Sequence, residues 1–142
     1  MARTRVRVTV DTNVLVSGLL SATGPPGRIV DLIVGGRVSV LYDDRILGEY
    51  EDVLRRPLFD FDPREVQMVV GQIRAQGELI TPEPLGIVLP DADDLPFLEV
   101  AAAGIARALI TGNPKHYKPT RGTHTVQIKS PRDFVAEWSG RE

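Results

Sequence analysis

Short β-branched runs alternate along the chain with longer segments whose apolar residues recur at helical spacing. The run Val6–Val10 predicts a buried first strand, and residues 38–41 predict a second. Residues 108–110 and 125–128 predict two further strands. These runs are short enough to be strands buried inside an α/β domain.

The segments between these runs carry helical signals at both ends. Gly35-Gly36 closes one apolar segment, Pro57 stops another, and Pro63 opens a third. The cluster at residues 22–27 predicts a turn between the first two helices. The predicted helices are residues 13–21, 29–34, from Asp43 or Asp44 to about Arg56, 63–76, one after Asp94, and one capped by Ser130 before Pro131.

The order of these elements indicates the fold class. Strands that alternate with helices favour a mostly parallel sheet covered by helices on both faces, which is a three-layer α/β architecture. The 142 residues fit one such domain, and no repeat or linker divides residues 1–142.

Composition narrows the chemistry and the cellular setting. The chain has no cysteine, so a metal must be held by oxygen atoms or by the two histidines. No apolar run approaches the roughly 20 residues that cross a bilayer, and the start MARTRVRVTV lacks the features of a secretory signal. We therefore expect a soluble cytoplasmic protein without a membrane segment.

The net charge of -2 hides an uneven distribution. Residues 75–106 contain six acids and no Lys or Arg, whereas residues 107–132 contain six basic residues and no acid. Solvated faces alone can produce such clustering. An acidic centre beside a basic rim also suits a metal-dependent nuclease, because a bound metal reverses the sign of the acidic part.

Three polar residues are predicted near the carboxyl ends of the strands, where open α/β sheets collect ligands, and a fourth candidate lies on a helix. Asp11 directly follows the first strand, Asn113 follows residues 108–110, and Asp94 begins the helix that leads into that strand. Glu49 lies at the edge of the apolar stripe of its helix, where an unpaired acid is costly.

Each of these residues has a structural alternative. Asp11 can be a helix cap, the acids at 91, 93 and 94 can favour a helix dipole, and Asn113 before Pro114 suits a turn. Glu49 can form a salt bridge. Carboxylates that converge on one rim repel each other unless a hard cation binds, and Mg²⁺ or Mn²⁺ fits this set.

Four segments resemble the PIN domain family, in the branch of toxins related to VapC. They are VDTNVLVSGLLSATGPPGRIVDLIVGGR, ILGEYEDVLRRP, DADDLPFLEVAAAG and LITGNPKHY, and they lie in this order between Val10 and Tyr117. The resemblance assigns Asp11, Glu49 and Asp94 as metal-holding catalytic acids and Asn113 as the fourth catalytic position. It assigns Asn13 and Thr111 as residues that orient this centre.

The resemblance implies Mg²⁺- or Mn²⁺-dependent hydrolysis of RNA phosphodiester bonds. It also implies a homodimer and a cognate antitoxin protein. The basic residues after the site are expected to hold the RNA backbone, with a solvated loop as their alternative. They are Lys115, His116, Lys118 and Arg121. His116 is also a possible metal ligand, and Tyr117 can stack on a base or pack on the sheet edge.

One position departs from the family pattern. Asn113 stands where the family commonly has an aspartate, which lowers the negative charge available to a second metal. Asp91 or Asp93 can join the site in compensation. The departure keeps open a weakly active or inactive RNA-binding or regulatory module. Phosphotransfer at Asp11 is disfavoured, since such phosphatases need a second aspartate where this chain has Asn13.

Overall fold

A computed structural model describes residues 5–141 of the chain. The described residues contain a single five-stranded sheet in the order β3-β2-β1-β4-β5, and all strand pairs are parallel. The strands are β1 (Val6–Val10), β2 (Val38–Tyr42), β3 (Glu78–Leu79), β4 (Ala108–Ile110) and β5 (Ile128–Lys129). The predicted three-layer α/β class is confirmed.

Six helices connect and cover these strands within the described range. They are α1 (Thr12–Leu20), α2 (Pro25–Val34), α3 (Asp44–Leu54), α4 (Pro63–Gln76), α5 (Leu95–Ala103) and α6 (Pro131–Arg141). Two short 3₁₀ helices lie at Ala92–Asp94 and Pro114–Tyr117. None of the helices in residues 5–141 has the length and apolarity required to cross a bilayer.

The strand order places a topological switch beside β1. The chain moves outward from β1 to β2 and β3, then returns to the other side of β1 with β4. Right-handed crossovers in these two directions put helices on opposite faces of the sheet. Accordingly α2 packs with α4 and α6, whereas α5 packs on β1, β2 and β4. The crevice at the carboxyl ends of β1 and β4 is where ligands bind in such sheets.

The three central strands, β2, β1 and β4, are apolar because helices cover both faces of the sheet. All five residues of β2 and all three of β4 are buried, as are the last three of β1. Continuous burial explains why these strands are apolar runs rather than alternating ones. The rigid core under the crevice fixes where the residues that follow each strand can lie.

Local chemistry sets the start of several helices as predicted. Asp43 accepts a bond from the backbone N–H of Ile46, and Asp62 accepts one from that of Arg64 before Pro63. The hydroxyl of Ser130 accepts a bond from the backbone N–H of Asp133. Each side chain satisfies a donor that the first helical turn leaves without a partner.

Two element boundaries and one additional strand are the main differences from the sequence-based expectation. Helix α2 begins inside the predicted turn, at Pro25, because proline suits the first helical turn. The last strand is Ile128–Lys129 rather than residues 125–128, because it is set by pairing with β4. Strand β3 was not predicted, since its two residues are exposed and carry no apolar pattern.

Candidate metal centre

Asp11 occupies the switch point between β1 and β4. Its backbone N–H donates to the carbonyl of Ile110 at 2.9 Å, which ties it to the end of β4. Its side chain is buried and makes no capping bond to α1. The carboxylate Oδ2 instead accepts hydrogen bonds from the hydroxyls of Thr111 and Tyr117, each at 2.9 Å. The alternative role of a helix cap is therefore wrong for its side chain.

Tyr117 is a buried support of this carboxylate and was not recognised from the sequence. It ends the 3₁₀ helix Pro114–Tyr117, and its carbonyl lies 2.9 Å from Nε2 of His124. Burial and the charge of Asp11 raise the pKa of the Tyr117 phenol, so the hydroxyl keeps its proton and donates. Of the two sequence-based options, the burial of the ring agrees with packing against the sheet rather than with stacking on a base, and the hydroxyl adds the bond to Asp11.

Glu49 reaches the same centre from α3. Its Oε2 accepts a short hydrogen bond from the hydroxyl of Thr12, the first residue of α1. Burial raises its pKa, the Thr12 bond opposes the rise, and the charges of Asp11 and Asp93 add to it. The partner of Glu49 is therefore a hydroxyl beside Asp11, and the carboxylate lies in the field of the other acids.

Asp94 is the last residue of the 3₁₀ helix Ala92–Asp94, directly before α5. Burial, followed by the charges of Asp11 and Asp91, raises its pKa to about 6. Its Oδ2 is buried and accepts no hydrogen bond from the described residues. The imidazole ring of His116 lies beside it, with Nδ1 3.5 Å from this oxygen.

Hydrogen bonds of Asn13, Thr111 and Asn113 hold the turn that follows β4. The side-chain oxygen of Asn13 accepts from the backbone N–H of Gly112 at 3.0 Å. The hydroxyl of Thr111 accepts from the backbone N–H of Asn113 at 3.1 Å and donates to Asp11. Asn13 thus holds the turn that carries Thr111, and Asn113 lies exposed at the mouth of the crevice.

The two further acids of the DADD segment lie at the margin of the centre. Asp91 accepts a bond from the backbone N–H of Asp93 and so closes the turn before α5. Both side chains are exposed. Their charges nevertheless raise the pKa values of Asp94 and Glu49 respectively, so both acids contribute to the negative field.

The basic residues predicted to hold RNA lie on the loop beyond Asn113. Lys115, Lys118 and Arg121 are exposed, and His116 is half exposed. An antiparallel bridge between Val88 and Arg121 connects this loop to the proline-rich segment, residues 81–90. The loop therefore presents cationic side chains beside the acidic crevice.

The arrangement fits a hard divalent cation by its chemistry. Asp11, Glu49 and Asp94 come from three separate elements. Asp11 raises the pKa of both Glu49 and Asp94, and Glu49 also raises that of Asp94. One buried carboxylate oxygen lacks a partner. In residues 5–141 no three acidic or histidine side chains already stand close enough to hold an ion together. Metal binding would thus require these side chains to turn toward a shared cation.

A second acidic cluster is structural. Arg45 bonds Asp43 at 2.7 Å and the buried Glu99 at 2.8 Å, and the other oxygen of Glu99 accepts from the backbone N–H of Leu85 at 3.2 Å. Burial of Glu99 is therefore matched by a cation and a backbone donor. This cluster joins α3, α5 and the proline-rich segment beneath the rim, and nothing in the sequence pattern had distinguished Glu99.

Comparison with known proteins gives two matches. A family model described as "PIN domain" matches residues 7–115, which include the three acids and the turn after β4. Uncharacterized protein MJ1680 of Methanocaldococcus jannaschii is 26% identical over 151 residues, covering 97% of this chain and 95% of that protein.

Proposed function

The chain belongs to the PIN domain family, a nuclease superfamily, and from that premise we propose that it is a divalent-metal-dependent endoribonuclease. The proposed reaction is hydrolysis of RNA phosphodiester bonds. The proposed metal ligands are Asp11, Glu49 and Asp94, with Mg²⁺ or Mn²⁺ as the ion.

One observation carries the proposal. Two acids far from Asp11 in the chain, Glu49 and Asp94, are near enough to it for its charge to raise their pKa values, and this supports a shared cation. A purely structural site would pair these acids with cations, as the fold does for Glu99. At Asp94 it leaves a buried oxygen without a hydrogen bond. A cation at this place would relieve the repulsion and supply that partner.

Each side chain around the proposed ion has a separate proposed role. A bound divalent ion supplies Lewis acidity toward the scissile phosphate and activates water. Thr111 and Tyr117 both donate to Oδ2 of Asp11, and the other oxygen, Oδ1, is proposed to bind the ion. Thr12 orients Glu49. Asn13 holds the turn that brings Thr111 into place, and Asn113 at the crevice mouth is proposed to contact substrate or water.

The cationic loop is proposed to bind the RNA backbone. Lys115, Lys118 and Arg121 are exposed beside the crevice, and their charges suit phosphates. Contacts of this kind provide affinity without sequence choice. They place the sugar-phosphate chain next to the acids that would hold the metal.

The resemblance to VapC-type toxins extends the proposal to a cytoplasmic toxin paired with an antitoxin protein, and to a homodimer. An antitoxin with basic side chains would match the charge of the crevice. A free-standing RNA-processing nuclease is the alternative. A neighbouring gene for a small DNA-binding protein would favour the toxin, and its absence would favour the free-standing enzyme.

Asn113 supports a second candidate function. A neutral side chain at the fourth position weakens the site for a second ion, which suits an RNA-binding module with little or no turnover. Such a module would bind RNA equally with and without divalent metal. The enzyme would cleave only with the metal present.

The decisive experiment compares the purified protein with its Asp11→Asn variant on single-stranded RNA. Cleavage should require Mg²⁺ or Mn²⁺, stop in EDTA and be lost in the variant, and the products should carry 5′-phosphate and 3′-hydroxyl ends. Equal cleavage by the variant would identify a contaminating nuclease. RNA binding without cleavage under all metal conditions would favour the module.

A further inference from the structure

His116 stands at an unusual place for a residue of an RNA-binding loop. Its ring Nδ1 lies 3.5 Å from Oδ2 of Asp94, and that oxygen is buried and accepts no hydrogen bond from the described residues. The separation is long for an N–H···O hydrogen bond, whose usual length is about 2.9 Å. The two atoms therefore face each other without forming a normal bond.

The same separation suits two neighbouring ligands of one cation. Metal–oxygen and metal–nitrogen bonds of about 2.1 Å, held at angles between right angles and tetrahedral, put adjacent ligand atoms about 3 to 3.5 Å apart. The two atoms would have to move closer to form a normal hydrogen bond, whereas they could both bind one ion at their present separation.

The loop that carries His116 is fixed on both sides. The backbone N–H of His116 donates to the carbonyl of Asn113 at 3.0 Å, and the next residue, Tyr117, is bonded to Asp11. His116 therefore lies in the chain between Asn113, the neutral residue at the fourth position, and Tyr117, which is hydrogen-bonded to Asp11. His116 can supply the fourth ligand that Asn113 supplies only weakly.

We propose that His116 is a ligand of the divalent ion held by Asp94, and that its imidazole makes the site prefer transition-metal ions over Mg²⁺. Mg²⁺ prefers oxygen ligands and keeps its waters, whereas affinity for a nitrogen ligand rises from Mn²⁺ through Co²⁺. This inference rests on the proposed metal-dependent function. It adds a ligand and a metal preference that the three acids do not provide.

The test uses Co²⁺ as a probe and His116→Gln as the variant, because glutamine keeps a polar side chain and removes the ring nitrogens. In the ¹H NMR spectrum of the Co²⁺-loaded protein, an exchangeable imidazole N–H should be strongly shifted, and it should vanish in the variant. The other histidine, His124, is an internal control. Its two ring nitrogens already face the backbone of Val126 and Tyr117, so its resonances should show no ligand-sized shift.

Binding affinities give the second readout. His116→Gln should lower Co²⁺ affinity at least about tenfold, the scale on which metal sites respond to altered support. Mg²⁺ affinity should change by less than about twofold. Lys118→Gln, on the same loop and without a ring nitrogen, is the matched control and should leave the Co²⁺-to-Mg²⁺ ratio unchanged.

The outcomes separate this inference from the proposed function. If Asp94→Asn abolishes binding but His116→Gln leaves both affinities unchanged, His116 is not a ligand. If His116→Gln changes both affinities equally, the ring acts through charge, and the inference is again wrong. If the wild-type protein binds neither ion in a manner that depends on Asp94, the proposed metal-dependent function itself fails.

Discussion

Tyr117 donates its buried hydroxyl to the same carboxylate oxygen of Asp11 that Thr111 holds, across 106 positions of sequence. Two donors on one oxygen fix the rotation of the carboxylate and leave the other oxygen for a ligand. Burial and, after it, the charge of Asp11 raise the pKa of the Tyr117 phenol, so the hydroxyl keeps the proton that it donates. Support from a second layer of hydrogen bonds commonly tunes metal sites.

Tyr117→Phe should therefore impair the centre while the fold persists. Loss of a bond to a buried carboxylate should cost about 1.5–3 kcal/mol of unfolding free energy. RNA cleavage and metal affinity should each fall by about tenfold. Urea unfolding and metal titration check the two effects. Tyr50→Phe is the matched control, since Tyr50 is also buried but bonds the backbone carbonyl of Val10. It should lose similar stability and retain metal affinity; equal losses of metal affinity would remove the special role of Tyr117.

Asp94→Asn should stabilise the metal-free protein near neutral pH. The pKa of Asp94 is raised to about 6 from 3.8, so between these values the folded state keeps a proton that the unfolded state has lost. Wild-type stability in EDTA should thus fall as pH rises from about 4 to 6 and then level off. Above pH 6 the variant should be more stable by about 1–2 kcal/mol, allowing for solvent around a partly exposed group. The difference should shrink toward pH 4.

Thermal unfolding across pH 4–8, with and without Mg²⁺, measures this effect. Added Mg²⁺ should stabilise the wild type and leave the variant unchanged. A variant less stable than the wild type in EDTA at pH 7 would mean that Asp94 is structural.

Glu99→Ala should destabilise the fold without touching the metal centre. It removes the buried partner of Arg45 and of the Leu85 backbone N–H, and we expect a loss of about 2–3 kcal/mol. Chemical denaturation measures it, and metal affinity at a temperature where the variant is folded should be unchanged. Glu137→Ala is the matched control: its ion pairs to Arg107 and Lys129 are solvent-accessible, so it should destabilise the fold much less than Glu99→Ala.

Replacement of Lys115 and Lys118 by alanine should weaken RNA binding with little effect on metal affinity. In an Asp11→Asn background, which prevents cleavage, each lost phosphate contact should lower the slope of log K against log salt by about 0.7 for single-stranded RNA. Fluorescence anisotropy at several salt concentrations gives this slope. Arg107→Ala is the control. Arg107 directly precedes β4, at the end of the strand away from Asn113, so this variant should leave the slope unchanged. An unaltered slope in the lysine variants would assign them to a solvated loop.

The sequence predicted elements wherever local chemistry determines them. Helix starts at Asp43, Pro63 and Ser130 carry their own caps or prolines, and the central strands are apolar because both faces are covered. Strand β3 escaped prediction because its exposed pair, Glu78–Leu79, is a strand only through pairing with β2. The bounds of β5 could not be predicted either, because they depend on its pairing with β4.

The site divides along similar lines. The positions of Asp11 and Thr111 follow from the rule that strand ends gather at one edge of a sheet. The inward direction of Tyr117 and the approach of His116 to Asp94 could not be predicted, because a four-residue 3₁₀ helix has no periodic pattern. Glu99 resembled any other acid of an acidic segment, since its partner Arg45 is 54 positions away.

The central position of β1 also bears on how the protein is made. Its neighbours in the sheet are β2, close in sequence, and β4, which begins at Ala108. A chain emerging from the ribosome can thus pair one side of β1 early but must wait for β4 before the crevice beside Asp11 has a second wall. The crevice beside Asp11 therefore forms only after residues far along the chain have been synthesised.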